Sequence, residues 1–70
     1  MKELIDIRIK NNMTQQDMAD FLEVSFSYYT KIEKGLKTPS YNFLIKLKKK
    51  FPELDMNIFL IINNTNSVKK

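Results

Sequence analysis

The chain contains no cysteine and no histidine, and it has only one glycine and two prolines among its 70 residues. Without cysteine, no disulfide and no thiolate metal site can stabilise the fold. Without histidine, Ser-His-Asp and Cys-His catalysis are excluded, and zinc lacks its usual ligands. A chain this short buries only about 60% of the surface that it exposes when unfolded, so we expect one small domain.

Clustered carboxylates are also missing, because the aspartates and glutamates are spread singly along the chain. Carboxylates alone could hold magnesium or form an acid/base pair, but no glycine-rich phosphate loop accompanies them. We therefore expect no enzyme activity, no small-molecule substrate, and no metal ion or other cofactor.

Long apolar runs are absent as well. The longest, IFLII at 58–62, is far too short to cross a membrane, and Glu3 and Asp6 interrupt any signal-peptide pattern. We expect a cytoplasmic protein without a membrane partner. The formal net charge of +4 fits a polyanionic partner, although AT-rich genomes also encode lysine-rich proteins of other kinds.

The spacing of the apolar residues predicts an all-α domain, a compact bundle of about five short helices. The first segment, LIDIRIK, is ambiguous, since its isoleucines also alternate with polar residues as in a half-buried strand. We prefer a helix, in which Arg8 lies at the centre of one apolar arc made of Leu4, Ile5, Ile7 and Ile9. The asparagines at 11–12 would end it, because asparagine tolerates the left-handed conformation.

Capping residues mark the boundaries of the next three helices. Thr14 and Asp17 form a capping-box pattern before the second helix. Ser25 and Ser40 are suited to cap the third and fourth helices, and Gly35 is suited to end the third. These signals predict short helices joined by tight turns.

Helical wheels give each of these helices an inner face. In the second helix it consists of Met18, Ala19, Phe21 and Leu22. In the third it consists of Tyr28, Tyr29 and Ile32, and the opposite, polar face carries Ser27, Thr30, Lys31 and Lys34, with Phe26 at its edge. In the fourth it consists of Tyr41, Leu44, Ile45, Leu47 and Phe51. A closing helix, LDMNIFLII at 54–62, is apolar all round, so we assign residues 1–62 to the domain and 63–70 to a frayed polar tail.

The run TQQDMADFLEVSFSYYTKIEKGLKTPS, residues 14–40, resembles the helix-turn-helix of the phage repressor and Cro family. The positions that match the family pattern are Thr14, Gln15, Ala19, Val24, Ser25, Ile32, Glu33, Gly35, Pro39 and Ser40. The resemblance extends from Leu4 to about Leu60 and implies a lambda-repressor-like helix-turn-helix domain.

The sequence departs from the family pattern at three places. Glu23 occupies the turn position that is usually glycine and is expected to be left-handed. Lys48 replaces a small residue inside an apolar arc, so its ammonium must extend outward or lie near a subunit boundary. The outward face of the third helix also lacks the Gln, Asn and Arg that most often bind bases through two hydrogen bonds.

The resemblance implies that the third helix reads base edges in the major groove. Carried over by position, the readers are Phe26, Ser27 and Lys31, with Ser25 and Thr30 at the margin. Two alternatives stay open. Phe26 could instead lie flat against the second helix, and Lys31 could contact a phosphate or only solvent.

Phosphate contacts are expected on both flanks of the third helix, from Gln15, Lys34, Lys37 and Thr38. The lysine-rich run at 46–50 is interpreted as a solvated helix face. Family members also pair the residues at Arg8 and Glu33 in a partly buried ion pair, and an arginine within an apolar arc needs such a partner. The alternative is an Arg8 side chain that bends out to solvent.

The resemblance implies a sequence-specific, double-stranded DNA-binding repressor, as found in phages and mobile elements, that binds a near-palindromic operator as a homodimer. The expected dimer interface is Phe59, Leu60, Ile61 and Ile62, although Ile58 and Phe59 could instead close the monomer core. A protein-interaction module of the same fold, such as an antitoxin or antirepressor, is the main alternative. Binding of structured RNA is a weaker one.

Overall fold

The computed structural model describes residues 1–55. This part of the chain forms four α-helices and no β-strand, which confirms the all-α fold class. The helices are α1 (Lys2–Lys10), α2 (Gln15–Phe21), α3 (Phe26–Glu33) and α4 (Tyr41–Lys50). The fifth predicted helix, apart from residues 54 and 55, and the predicted tail lie outside the described residues.

Side-chain caps begin α2, α3 and α4. The Thr14 hydroxyl accepts a hydrogen bond from the Asp17 backbone at 3.0 Å, and the Asp17 carboxylate accepts one from the Thr14 backbone at 3.0 Å. The Ser25 and Ser40 hydroxyls each accept from the backbone N–H three residues onward, at 3.0 and 3.1 Å. The predicted capping box and both predicted serine caps are therefore confirmed.

A left-handed residue follows each of the first three helices. These residues are Asn12, Glu23 and Gly35, with φ of 56°, 61° and 79°. In every case the next residue donates its backbone N–H to a carbonyl five residues earlier, at 2.8 to 3.0 Å, as a Schellman motif requires. The left-handed conformation predicted for Glu23 is confirmed, and its carbonyl accepts a hydrogen bond from the Lys46 ammonium at 3.2 Å.

The core lies where α1 and α2 pack against α3, with α4 closing the side. Its buried apolar side chains come from all four helices and the residue after α4. They are Leu4, Ile7, Met18, Ala19, Leu22, Tyr29, Ile32, Phe43, Leu47 and Phe51. Burial of such side chains is the main stabilising term available to the described fold.

Three of the predicted inner-face residues are exposed, and Phe21 of α2, at 39%, is the least exposed of them. Ile9 is 60% exposed, because it lies about 140° around α1 from the buried Leu4. Tyr41 is 77% exposed and Phe43 only 1%, so the predicted inner face of α4 was wrong at these positions. Once Ser40 begins the helix, Phe43 and Leu47 lie one turn apart on the core side, and Tyr41 lies nearly opposite Phe43.

Lys48 leaves the apolar side of α4, as predicted for its ammonium. Its Nζ donates to the carbonyls of Pro52 at 2.7 Å and Leu54 at 3.0 Å. The side chain thereby holds the turn that follows α4, a role that the sequence did not indicate.

Candidate nucleic-acid interface

Helix α3 has one buried face and one exposed face. Tyr29, Ile32 and Glu33 are buried, whereas Ser27 and Lys31, one turn apart, are exposed on the opposite side. The predicted division of this helix into a packing face and a polar outward face is therefore correct.

Glu33 is the only charged residue that is buried among the described residues, and it connects three helices. Its carboxylate accepts hydrogen bonds from Arg8 Nε at 2.7 Å and Nη2 at 3.4 Å. It also accepts from the Tyr29 hydroxyl at 2.6 Å and from the Gln15 amide at 2.8 Å. The predicted ion pair is present, and the Arg8 side chain, 17% exposed, does not bend out to solvent.

The pKa values of this cluster follow from its geometry. Burial opposes ionisation of Glu33, but the hydrogen bonds from Arg8, Tyr29 and Gln15 outweigh it and lower the pKa of the carboxyl. Burial and the bond to Glu33 raise the pKa of Tyr29. The hydrogen bond to Glu33 raises the pKa of Arg8. The cluster therefore holds a charged pair and a neutral phenol.

Gln15 was predicted to contact phosphate, but its side chain donates one hydrogen to Glu33. A second amide hydrogen and the carbonyl oxygen remain, so the residue can serve both roles. The Arg8–Glu33 pair was predicted, but the participation of Gln15 and Tyr29 was not. For Tyr29, its position four residues before Glu33 on the same helix is the signal that could have indicated it.

The predicted base-reading residues lie on the exposed side of α3. Phe26 is its first residue and is 46% exposed. Within residues 1–55, neither the Ser27 hydroxyl nor the Lys31 ammonium has a hydrogen-bond partner in the protein. The Ser25 and Thr30 hydroxyls do, through the Tyr28 N–H and the Ser27 carbonyl.

The loop after α3 forms a second exposed edge that contains Lys34, Lys37 and Thr38. Lys37 Nζ lies 5.8 Å from the centre of the Tyr28 ring, and the Tyr28 hydroxyl accepts from the Ser40 backbone at 3.0 Å. These contacts attach the loop to α3. An open groove of about 440 Å³ follows, with ammonium groups of Lys37 and Lys46 on its lining.

A family model described as helix-turn-helix matches residues 4–57 of this chain. The chain belongs to the Cro/C1-type helix-turn-helix family. No curated protein and no solved structure matches it. The helix-turn-helix is α2, the left-handed turn at Glu23 and α3. This chain is therefore a DNA-binding regulator of a family that is not typically enzymatic.

The dimer residues and the lysine run at 46–50 are the two remaining predicted regions of this helix-turn-helix protein. The predicted dimer residues Phe59, Leu60, Ile61 and Ile62 lie outside the described residues. In the lysine run, the Lys46 ammonium donates a hydrogen bond to the Glu23 carbonyl, and Lys50 Nζ lies 4.9 Å from the Phe21 ring centre. Only part of that face is therefore free in solvent.

Residues 1–55 contain no cluster of acidic side chains that could hold a metal ion and no helix able to cross a membrane.

Proposed function

We propose that this chain is a transcriptional repressor of a phage or other mobile element, acting in the cytoplasm as a homodimer on a near-palindromic operator. The proposal places α3 in the major groove of double-stranded DNA. The observation that carries it is the exposed pair Ser27 and Lys31, backed by a buried cluster that fixes the opposite face of the same helix.

Base contacts are assigned to outward residues of α3. Phe26, Ser27 and Lys31 are the readers, and Ser25 and Thr30 lie beside them. An exposed aromatic ring, a free hydroxyl and a free ammonium are groups that bind major-groove edges. A recognition helix presents its amino-terminal residues to the bases, a requirement that Phe26 and Ser27 meet, and Lys31 lies one turn after Ser27 on the same face.

Phosphate contacts are assigned to both flanks of the recognition helix. Lys34, Lys37 and Thr38 are exposed in one flank, and Gln15 keeps one amide hydrogen for the other. Such contacts set affinity and position and carry little sequence information. The bond between the Tyr28 hydroxyl and Ser40 supports this assignment, because it fixes the loop relative to α3.

Dimerisation is assigned to Phe59, Leu60, Ile61 and Ile62. One helix-turn-helix contacts few base pairs, and paired units read two half-sites about 34 Å apart. This assignment rests on the apolar character of that segment, because a partner copy would cover its surface.

The test is a binding titration against selected and random duplexes at several salt concentrations. We expect preferred sites to bind more tightly than random DNA, and both affinities to fall as salt rises. Lys31→Ala should relax the sequence preference, whereas Lys49→Ala, which removes an equal charge from an exposed position on α4, should leave it unchanged.

The result that would overturn the proposal is an absence of DNA binding by the wild-type protein even at low salt. A protein-interaction module would then be favoured. One observation favours that second function. The outward face of α3 lacks Gln, Asn and Arg, the side chains that most often bind bases through two hydrogen bonds.

A further inference from the structure

We infer that the exposure and hydrogen bonding of the outward side chains of α3 determine what they offer to DNA, and that the half-site carries a thymine opposite Phe26, a guanine opposite Lys31 and an adenine or cytosine opposite Thr30. This inference rests on the proposed function and adds the base preference to it.

The Phe26 ring lacks the ring partner that the Phe21 and Tyr28 rings each have. Phe21 packs edge-on against Phe51 at 5.5 Å, and Tyr28 packs against Phe43 at 5.6 Å. Phe26 has no such ring partner among the described residues and remains 46% exposed at the first position of α3. In the major groove the thymine methyl is the apolar group available to cover it.

The Thr30 hydroxyl has a fixed direction. It donates its only proton to the Ser27 carbonyl at 3.1 Å, so it can only accept from another molecule. In the major groove, donors are the exocyclic amino groups of adenine and cytosine. The Ser25 hydroxyl has the opposite role. It accepts a hydrogen bond from the Tyr28 N–H and keeps its own proton to donate.

Lys31 presents three donors and no acceptor. It lies one turn after Ser27 on the exposed face, and neither side chain has a hydrogen-bond partner within residues 1–55. Guanine presents two adjacent acceptors, O6 and N7, in the major groove, so it satisfies an unpaired ammonium better than any other base.

The first experiment removes single methyl groups from the DNA. After selection of bound sites from random duplexes, each thymine of one half-site is replaced by uracil. We expect roughly fourfold weaker binding at one position, from the loss of one buried methyl group. Phe26→Ala should bind thymine and uracil duplexes equally, whereas Ile9→Ala, an exposed apolar residue on α1, should keep the difference.

The second experiment replaces individual guanines by 7-deazaguanine, which lacks the N7 acceptor. We expect about fivefold or greater loss at one position for the wild type, and no loss there for Lys31→Ala. Thr30→Val, which keeps the side-chain shape, should reduce discrimination at a neighbouring adenine or cytosine.

The outcomes separate this inference from the proposed function. Failure to bind any duplex overturns both. Sequence-preferring binding that is insensitive to every thymine methyl or every guanine N7 overturns the base assignment alone. Because these substitutions are made in the DNA, the wild-type result holds even if a variant fails to fold.

Discussion

At the scale of single residues, one carboxylate holds three helices. Glu33 on α3 accepts hydrogen bonds from Arg8 on α1 and Gln15 on α2, as well as from Tyr29 on its own helix. A buried ion pair adds little against a well-packed apolar alternative, but removing one partner leaves an uncompensated charge. The cluster therefore makes each partner dependent on the others.

We predict that Arg8→Met and Glu33→Gln each lower the free energy of unfolding, by about 3 kcal/mol for the arginine change. Urea denaturation measures it. Lys10→Met, an exposed cation near the end of α1, is the matched control and should change stability by less than about 1 kcal/mol. Equal stability of the wild type and both cluster variants would show that the pair contributes nothing.

Acid should destabilise the protein through Glu33. Its folded pKa lies below the ordinary value of 4.5, so the unfolded chain binds the proton first as pH falls. The contribution is therefore fully present above pH 4.5 and is lost as pH falls through the lower folded pKa. Urea midpoints measured across this window should fall for the wild type.

Two variants separate the sources of that acid sensitivity. Glu33→Gln should flatten the fall in stability. Asp17→Asn should flatten it less, because the Asp17 pKa is lowered by hydrogen bonds from Thr14 at an exposed position. An unchanged pH profile in Glu33→Gln would contradict the assignment.

At the scale of helices and turns, the same ending closes α1, α2 and α3 with three different residue types. The left-handed position is Asn12 after α1, Glu23 after α2 and Gly35 after α3. Glycine adopts this conformation without a Cβ clash, asparagine tolerates it, and glutamate is strained by it. The turn of the helix-turn-helix is therefore the least favourable of the three.

We predict that Glu23→Gly raises the free energy of unfolding by about 1 kcal/mol, because the strain is relieved. The bond from Lys46 reaches the backbone carbonyl and is retained. Asn12→Gly should gain less. Gln16→Gly, at an exposed position inside α2, should instead destabilise by about 1 kcal/mol. Thermal unfolding compares the three, and a loss in Glu23→Gly would refute the strain.

Local sequence signals predicted where the helices begin and end better than which face of each helix is buried. The caps at Thr14, Ser25 and Ser40 and the left-handed Glu23 depend on neighbouring residues, and all are confirmed. The inner face of α4 depends on how the helix is rotated against the core, which packing decides. Both tyrosine and phenylalanine fit an apolar pattern, so the burial of Phe43 could not be distinguished from that of Tyr41.

The candidate site, like the helices, was predicted only in part. Exposure of Ser27 and Lys31 and the Arg8–Glu33 pair follow from helical spacing and from the family resemblance. The hydrogen bond from Gln15 to Glu33 follows from neither. Gln15 and Glu33 are 18 positions apart, and only the packing of α2 on α3 brings them within 2.8 Å.

At the scale of the whole molecule, positive charge is displayed where the proposed DNA contacts lie. Lys31, Lys34 and Lys37 are exposed on α3 and the loop after it, while the buried negative charge of Glu33 is matched by Arg8. Exposed cations that neutralise phosphates release counterions, which makes affinity depend on salt.

We predict that Lys37→Ala weakens binding to all duplexes alike and lowers the slope of log affinity against log salt by about one. Lys49→Ala should leave the slope unchanged. Fluorescence anisotropy titrations at several salt concentrations measure both. An altered sequence preference in Lys37→Ala, with the slope retained, would contradict its assignment to phosphate.

The two faces of α3 also differ in what a substitution there can do. The internal face is tied to two neighbouring helices through Glu33, while the side chains of Ser27 and Lys31 make no hydrogen bond within the described part of the protein. Single replacements at the outer positions can therefore alter what α3 binds without weakening the domain. A DNA-binding regulator built in this way can change its target while keeping an unchanged scaffold.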